Sequence, residues 1–291
     1  MDPVKKSLVS LHFAVVLLGG TGLFSKIIPL SATDITLGRS LFACLALGLF
    51  VKLGKESLQL NNGKDYLIAL GLGGLMAAHW VTYFASMQYA GVSVGMIAMF
   101  TFPVITVLLE PFFEKTRLAW QDLLSALVVI IGIVLIVPEV SWQNDITLGV
   151  GVGVISAVLY ALRNLSLRKY FSHYGGAQSM AWQTLVIVLC LLPFSDLPVA
   201  PAPLSVWLLL LALGTLFTAL PHALVANSLA HLRAKTFSLI ACMQPFYGVI
   251  FAIILLNESP NWQTLLGGIL VTSASIYETV TTHKTASATN E

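Results

Sequence analysis

The segment MAAHWVTYFASMQYAG, residues 76–91, places an imidazole in a run otherwise apolar enough to disappear into a core or a bilayer. At helical spacing His79, Thr82, Tyr83 and Ser86 fall on one side, so this element carries a polar stripe on a lipid-compatible surface. Thr215, Thr218 and His222 make a comparable stripe later in the chain. Ionisable groups are costly in a bilayer, face an interior or a watery cavity, and mark solute or proton pathways. An imidazole ordinarily titrates near about pH 6.5, which suits proton-linked exchange. Each histidine is equally consistent with a neutral interhelical hydrogen bond.

Tyr160, Arg163 and Asn164 share a face by i, i+3 and i+4 spacing. Arg163 has two readings: it meets an anionic group of a solute, or it snorkels to the nearer membrane surface. Arg39 has the same two readings, with Asp34 available as a partner, while Glu110 and Glu278 read as interfacial. With the amide of Gln244 and the phenol of Tyr247 added, the candidate solute-binding residues are His79, Tyr83, Ser86, Tyr160, Arg163, His222, Gln244 and Tyr247. Aromatics such as Trp80 and Phe100 would line a pocket for a planar solute, although aromatic residues also serve interfaces and packing. Pro103 and Pro245 cannot donate to the carbonyls of Met99 and Ala241, so both helices should kink there and act as hinges. Gln244 is placed to satisfy part of the freed backbone, and neighbours commonly do so in membranes.

Other chemistry has no residues to carry it. There is no G-x-x-x-x-G-K-[ST] loop, no H-E-x-x-H pair and no G-x-S-x-G setting, so the expectation is no enzyme, no metal and no cofactor. Cys44, Cys190 and Cys242 stand singly in apolar runs and read as small buried residues rather than a disulfide or metal set. The net charge of +2 is too small and scattered for a nucleic-acid footprint.

These side chains need elements to hold them, and the composition says which. Of 291 residues, 57% are hydrophobic and 10% charged, and the mean hydropathy is +0.87; soluble domains run at about 25% charged. About 20 apolar residues cross a hydrocarbon layer as a helix. Such runs fall at 8–28, 33–53, 66–86, 93–113, 118–137, 148–168, 178–194, 205–226, 235–256 and 263–281. The first, after Lys5 and Lys6, lacks a clear cleavage site and reads as a span, not a removed signal. With the N-terminus in the cytoplasm, thirteen of the fifteen Lys and Arg residues fall on inner segments, leaving Lys26 and Arg39 within or at the ends of spans. That bias places both termini inside.

Sliding the chain over itself by 142 residues superposes Ser86 on Ser228, Pro103 on Pro245 and Trp120-Gln121 on Trp262-Gln263. His79 then meets Pro221 and His222 meets Trp80, one residue from strict equivalence. The repeat unit holds five helices, and an odd number inverts the second copy. The fold class is therefore an all-α membrane protein of ten transmembrane helices built as two inverted five-helix repeats: 1–137, an outer linker 138–146, 147–282, and a cytoplasmic tail 283–291. Inverted repeats typify secondary transporters, with the solute site near the midplane and access alternating between sides. Glycine groups at Gly149–Gly153, Gly71–Gly74 and Gly267–Gly268 let helices approach closely. Ser259-Pro260 reads as the start of the last helix, with Glu258 favouring its positive end.

The helix–loop pattern resembles the drug/metabolite transporter superfamily, in particular its ten-helix EamA-type members. Two phrases carry the resemblance: MQPFYGVIFAIILLNESPNWQTLLGGILVTSASIY and its counterpart FTFPVITVLLEPFFEKTRLAWQDLLSALVVIIGIVLI. One departure is that Glu258 faces Thr116 in the first copy, with Glu114 two positions displaced. The resemblance implies transport of a small polar or amphipathic metabolite, such as an amino acid or a vitamin like riboflavin, by alternating access. It also implies a multi-pass protein of a bacterial inner membrane. An intramembrane enzyme acting on a lipid-linked substrate and a passive solute channel are the alternatives. Expected partners are a small-molecule substrate and the lipid bilayer, with proton coupling possible, no nucleic acid, and a monomeric or homodimeric state.

Overall fold

A computed structural model describes residues 3–113, 118–137, 141, 143–197, 202–229 and 240–288. Glu114, Lys115, Thr116, Arg117, Arg233 and Lys235 lie outside the described residues, as do the side chains of Glu278 and Lys284. Among the described residues every regular element is a helix. In order they are α1 Pro3–Gly20, α2 Phe24–Ile27, α3 Ala32–Leu53, α4 Gly63–Ala90, α5 Val92–Met99, α6 Phe102–Phe113 and α7 Trp120–Ile136. There follow α8 Asp145–Tyr170, α9 Gly176–Leu191, α10 Leu204–Gly214, α11 Leu220–Leu229, α12 Gln244–Leu256 and α13 Trp262–Ala288. A 3-10 turn, Thr21–Leu23, joins α1 to α2, and a π-helical turn, Thr215–Ala219, joins α10 to α11.

Among the described residues, seven helical stretches are long and apolar enough to cross a membrane: Lys5–Ile27, Ala32–Leu53, Gly63–Ala90, Val92–Phe113, Asp145–Tyr170, Gly176–Phe194 and Leu204–Val225. α7 and α12 are shorter apolar helices. The surface is that of a protein solvated by lipid. On α3 the stripe Leu41, Leu45 and Leu49, spaced every fourth residue, is exposed, while Ile35, Arg39, Ala43 and Leu47 on the other side are buried. The apolar stripe outside and the buried arginine inside reverse the pattern of a soluble surface helix.

Local chemistry sets the helix ends. Ser31 Oγ accepts from Asp34 N (3.1 Å) to open α3, and Asn62 Oδ1 accepts from Asp65 N (3.0 Å) to open α4. α4 stops at Gly91, whose φ of +89° suits a residue without a Cβ. Pro103 lies in the first turn of α6, and the helix breaks just before it at Phe100–Thr101. The loosened backbone is re-bonded there: Ser275 Oγ donates to Phe100 O (2.9 Å) and Thr101 Oγ1 to Ala98 O (2.8 Å). Pro245 likewise stands in the first turn of α12, a position where its missing N–H costs nothing. Gln244 does not serve its own helix as the sequence suggests; its Nε2 donates to Leu18 O of α1 at 3.4 Å.

The final helix also starts differently from the sequence expectation. Asn261 Oδ1 accepts from Thr264 N (2.8 Å), so Asn261 is the cap and Ser259-Pro260 remains outside the helix. Glu258 reaches instead to the N-terminus of α5, where Oε1 accepts from Val92 N (2.7 Å) and Oε2 from Ser93 N (3.0 Å) and Ser93 Oγ (2.7 Å). α5 starts after a glycine with no capping side chain, and a carboxylate from the far half of the chain fills that role.

Packing pairs the two halves. α4 lies on α8 and α11 on α1; α5 and α6 lie on α8 and α12 on α1; α4 lies on α9 and α10 on α3. α3 with α9, α7 with α13 and α5 with α12 complete the main contacts. Two hydrogen bonds follow the 142-residue register: Ser86 Oγ donates to Gly149 O (2.6 Å), and Ser228 Oγ donates to Ser7 O (3.2 Å). Some of the glycines flagged in the sequence sit where helices touch. A Cβ on Gly149 would meet Ala90 and Ser86, one on Gly73 would meet Val186, and Gly132 and Gly267 face each other. Gly71, Gly74 and Gly151 face open space. Cys44, Cys190 and Cys242 are in no disulfide.

Candidate functional site

The polar stripe of α4 is buried against α8. His79 is 2% exposed, and its Nδ1 lies 3.0 Å from Ser156 O and 2.8 Å from Ser156 Oγ, while Ser156 Oγ donates to His79 O at 3.0 Å. A carbonyl oxygen only accepts, so Nδ1 carries the proton and Nε2 is left as an acceptor. The ring stacks on Tyr160 at 4.6 Å between centroids, and Tyr160 meets Phe102 edge-on at 4.8 Å. Tyr83, one turn on from His79, is 4% exposed, and its hydroxyl is buried without a hydrogen-bond partner among the described residues. Thr82 turns back onto Ala78 O and His79 O of its own helix.

Arg39 is buried as well, at 2% exposure. Its Nε and Nη2 both donate to Thr218 Oγ1 (3.2 and 2.9 Å), and its guanidinium carbon lies 4.0 Å from the Trp80 ring centre and 5.3 Å from that of Phe84. Asp34 is not its partner. That carboxylate accepts from Ser31 Oγ, Ser195 Oγ and Asp196 N at one end of the bundle. Arg163 is half-buried; Nε donates to Gln183 Oε1 (2.7 Å) and Nη1 to Asn164 Oδ1 (2.9 Å), so it is turned toward α9 rather than extended to the surface. Arg39 lies seven residues from the start of α3 and Arg163 seven from the end of α8. At 1.5 Å per residue each sits about 10 Å in from opposite ends.

The sequence holds no Asp or Glu at 35–55, 66–109, 146–195 or 197–257, and neither Arg39 nor Arg163 bonds to a carboxylate among the described residues. Inserting an arginine at mid-membrane costs about 2.5–3.5 kcal/mol on biological scales. A cation–π contact returns about 0.5–2 kcal/mol, and a hydrogen bond to a charged donor about 1.5–3 kcal/mol. Arg39 is therefore tolerated through Trp80, Phe84 and Thr218, without its charge being neutralised.

Thr218 reaches Arg39 because of the π turn. Its own hydroxyl donates to Leu213 O (2.7 Å), five residues back, and Gly214 lets this turn press on the α3 backbone at Arg39. Pro221 deprives Phe217 O of a helical donor, and Thr21 Oγ1 of the 3-10 turn supplies one at 3.3 Å. His222 is half-buried and stands one helical turn beyond Thr218.

The candidate residues thus divide. His79, Tyr83 and Tyr160 are in one aromatic stack, Arg163 lies one turn beyond Tyr160 on α8, and His222 lies one turn beyond Thr218, the partner of Arg39. Ser86 is committed to Gly149 in a helix contact; Gln244 and Tyr247 pack on Leu18 and Gly19 of α1. Ser156 and Gln183 were not singled out in the sequence, although both are polar residues in apolar runs and both are fully buried.

The cluster has a closed end and a looser one. Toward Glu258, α5 packs on α12 and on the 3-10 turn: Cβ atoms on Gly22 and Gly248 would both meet Met96, which is fully buried. Toward Arg168, α6 packs on α7, α8 and α13 while α11 packs on α1 and α9, and Tyr160, Arg163, Asn164 and Leu167 are half-buried. At that end Arg168 pairs with Glu110 (2.5 Å) and Tyr174 donates to Asp65 (2.6 Å).

A bundle of apolar helices around a buried, partly cationic polar cluster is the arrangement of a solute carrier, and the chain matches the EamA-like transporter family over residues 5–137 and again over 147–277. The chain belongs to the EamA-like transporter family. It is 25% identical over 272 residues to an uncharacterized transporter, YxxF, of Bacillus subtilis, covering 91% of this chain and 86% of that one. It is 26% identical over 253 residues to the pseudopaline exporter CntI of Pseudomonas aeruginosa, covering 85% and 86%. The uncharacterized inner membrane transporter YicL of Salmonella typhimurium is 24% identical, covering 99% of this chain and all of that one. A solved crystal structure with 14% identity superposes with a TM-score of 0.65 over 96% of this chain and 98% of its own, a likeness of fold. This EamA-like chain is a membrane protein and a transporter with a small-molecule substrate.

Proposed function

We propose that the protein is a secondary transporter that carries a small polar or amphipathic metabolite by alternating access, through a cavity centred on His79, Tyr160 and Arg163. The observation that carries this reading is the buried polar cluster, closed toward Glu258 by the contact of Met96 with Gly22 and Gly248 and half-buried toward Arg168. The two family matches, the exchanged neighbour pairs and the two serine bonds 142 residues apart support two inverted five-helix units, about 1–137 and 147–282, as the moving parts. Thirteen of fifteen basic residues on alternate segments support cytoplasmic termini, which makes the Arg168 end the inner one. Relatives named as transporters, one of them an inner membrane transporter, support a bacterial inner membrane. His79 and His222 are the groups through which proton exchange would act.

A counterflow screen tests the transport reading: purified protein in sealed vesicles preloaded with members of a metabolite panel, followed by uptake of trace labelled solute. The expected result is a transient overshoot for at least one solute that saturates with concentration, with the solute recovered unchanged. Flux that rises without saturation, or recovery of a chemically altered solute, defeats it in favour of a channel or an enzyme.

A further inference from the structure

Arg39 donates from one edge only. Its Nε and Nη2 share Thr218 Oγ1, its guanidinium carbon lies 4.0 Å from the Trp80 ring centre and 5.3 Å from that of Phe84, and the Nη1 group has no acceptor among the described residues. The end-on edge, Nη1 with the second hydrogen of Nη2, is therefore unused. A second unused donor belongs to the facing helix, since the Tyr83 hydroxyl is buried without a partner among the described residues and Tyr83 lies on α4 between Trp80 and Phe84, the two rings against Arg39. Arg39 bonds to no carboxylate among the described residues. A buried cation with one edge unused, an unpartnered hydroxyl on the facing helix and no carboxylate bonded to either make a site that lacks one component, an oxyanion.

We infer that Arg39 and Tyr83, framed by Trp80 and Thr218, form an anion subsite that takes the carboxylate of the transported solute. This deepens the transport reading and rests on it. The planar end-on edge presents two parallel N–H groups to two coplanar oxygens, and the Tyr83 hydroxyl donates to a remaining lone pair; one guanidinium balances one carboxylate charge. A phosphate dianion would bring a second charge and a third oxygen to the same donors. The rest of the solute then extends along the His79–Tyr160 stack toward Arg163, an aromatic surface suited to an amphipathic body.

The test uses the full-length protein in detergent and the smallest carboxylate as probe. Its melting temperature is followed against sodium acetate at constant ionic strength, with acetamide as the neutral isostere and inorganic phosphate as the other oxyanion. The expected result is a saturable rise with acetate and none with acetamide. Tyr83→Phe, which removes only the hydroxyl, should raise the half-saturating acetate concentration several-fold, and Arg39→Gln at least about tenfold. No acetate-specific response in the parent, an equal response in Arg39→Gln, or an Arg39-dependent response to phosphate at lower concentration than acetate would each overturn the assignment. The parent comparison of acetate with acetamide stands even if Arg39→Gln does not fold. The counterflow screen separates the two readings. A transported solute without an anionic group sinks the subsite and leaves the transporter, whereas acetate binding with no transported solute does the reverse.

Discussion

Gly248→Ala should stop the bundle closing toward Glu258. A Cβ at this position would fall 1.9 Å from Met96 Sδ and 2.5 Å from its Cε, and 3.2 Å from Gly19 O. Ordinary contact begins near 3.4 Å, so the thioether has to retreat by roughly 1.5 Å. Met96 of α5 is fully buried against Gly22 and Gly248, so its thioether must repack within a close-packed interior to make room. Overpacking of this kind costs about 1–3 kcal/mol, and it falls only on the conformation that makes the contact. At about 1.4 kcal/mol per factor of ten, that conformation loses about 5- to 150-fold in population. Counterflow with a solute from the screen measures the consequence, because exchange has to pass through a state closed at this end. A fall of at least about fivefold is expected for Gly248→Ala, with recovery in the double variant Met96→Ala/Gly248→Ala, where the clash is removed. Parent-like exchange in the single variant, or no recovery in the double one, would refute the assignment of this contact as the closure.

Other outcomes follow from single contacts. Glu258→Gln weakens a carboxylate with three short bonds at the start of α5 and should lower stability by about 1–3 kcal/mol in detergent unfolding; an unchanged melting curve would show that the cap is redundant. Ser86→Ala and Ser228→Ala remove bonds related by the repeat register and should each cost about 0.6 kcal/mol, the average for hydrogen bonds between membrane helices. Arg168→Gln breaks an ion pair whose arginine side is 52% exposed, so transport and melting should stay within error of the parent. His79→Gln keeps an amide donor for Ser156 O but removes the stack on Tyr160. It should fold and exchange solute more slowly, and a parent rate with parent pH dependence would remove His79 from the solute path.

The membrane helices were legible because length and hydropathy are local quantities, and α3 and α4 begin where Ser31 and Asn62 announce a cap. The polar face of α4 was legible for the same reason, since 3.6-residue spacing alone puts His79 and Tyr83 together. Asp34 and Arg39 illustrate what was not. Five residues apart on a helix is about 140° around its axis, so one faces the Ser195 loop and the other the interior. The capping of α5 by Glu258 depends on a contact across 165 residues of chain, and no local pattern encodes it. The π turn at Thr215–Ala219 carried a sequence signal in Pro221, whose missing N–H leaves an orphan carbonyl four residues back, but the donor, Thr21, lies in a distant passage. Pro103 and Pro245 read as kinks in continuous helices, whereas each stands in the first turn of a new one.

Side-specific labelling of the cluster is the most direct test. With Cys44, Cys190 and Cys242 replaced, Asn164→Cys places one thiol beside Arg163 in the half-buried region. A membrane-impermeant maleimide applied to sealed vesicles of either orientation should label it from the face that carries Arg168 and Lys169, not from the face that carries Glu258. Saturating transported solute should slow the reaction. Equal labelling from both faces at once would describe a pore, and protection from both faces with or without solute would describe a structural core; either result contradicts a cavity open to one side at a time.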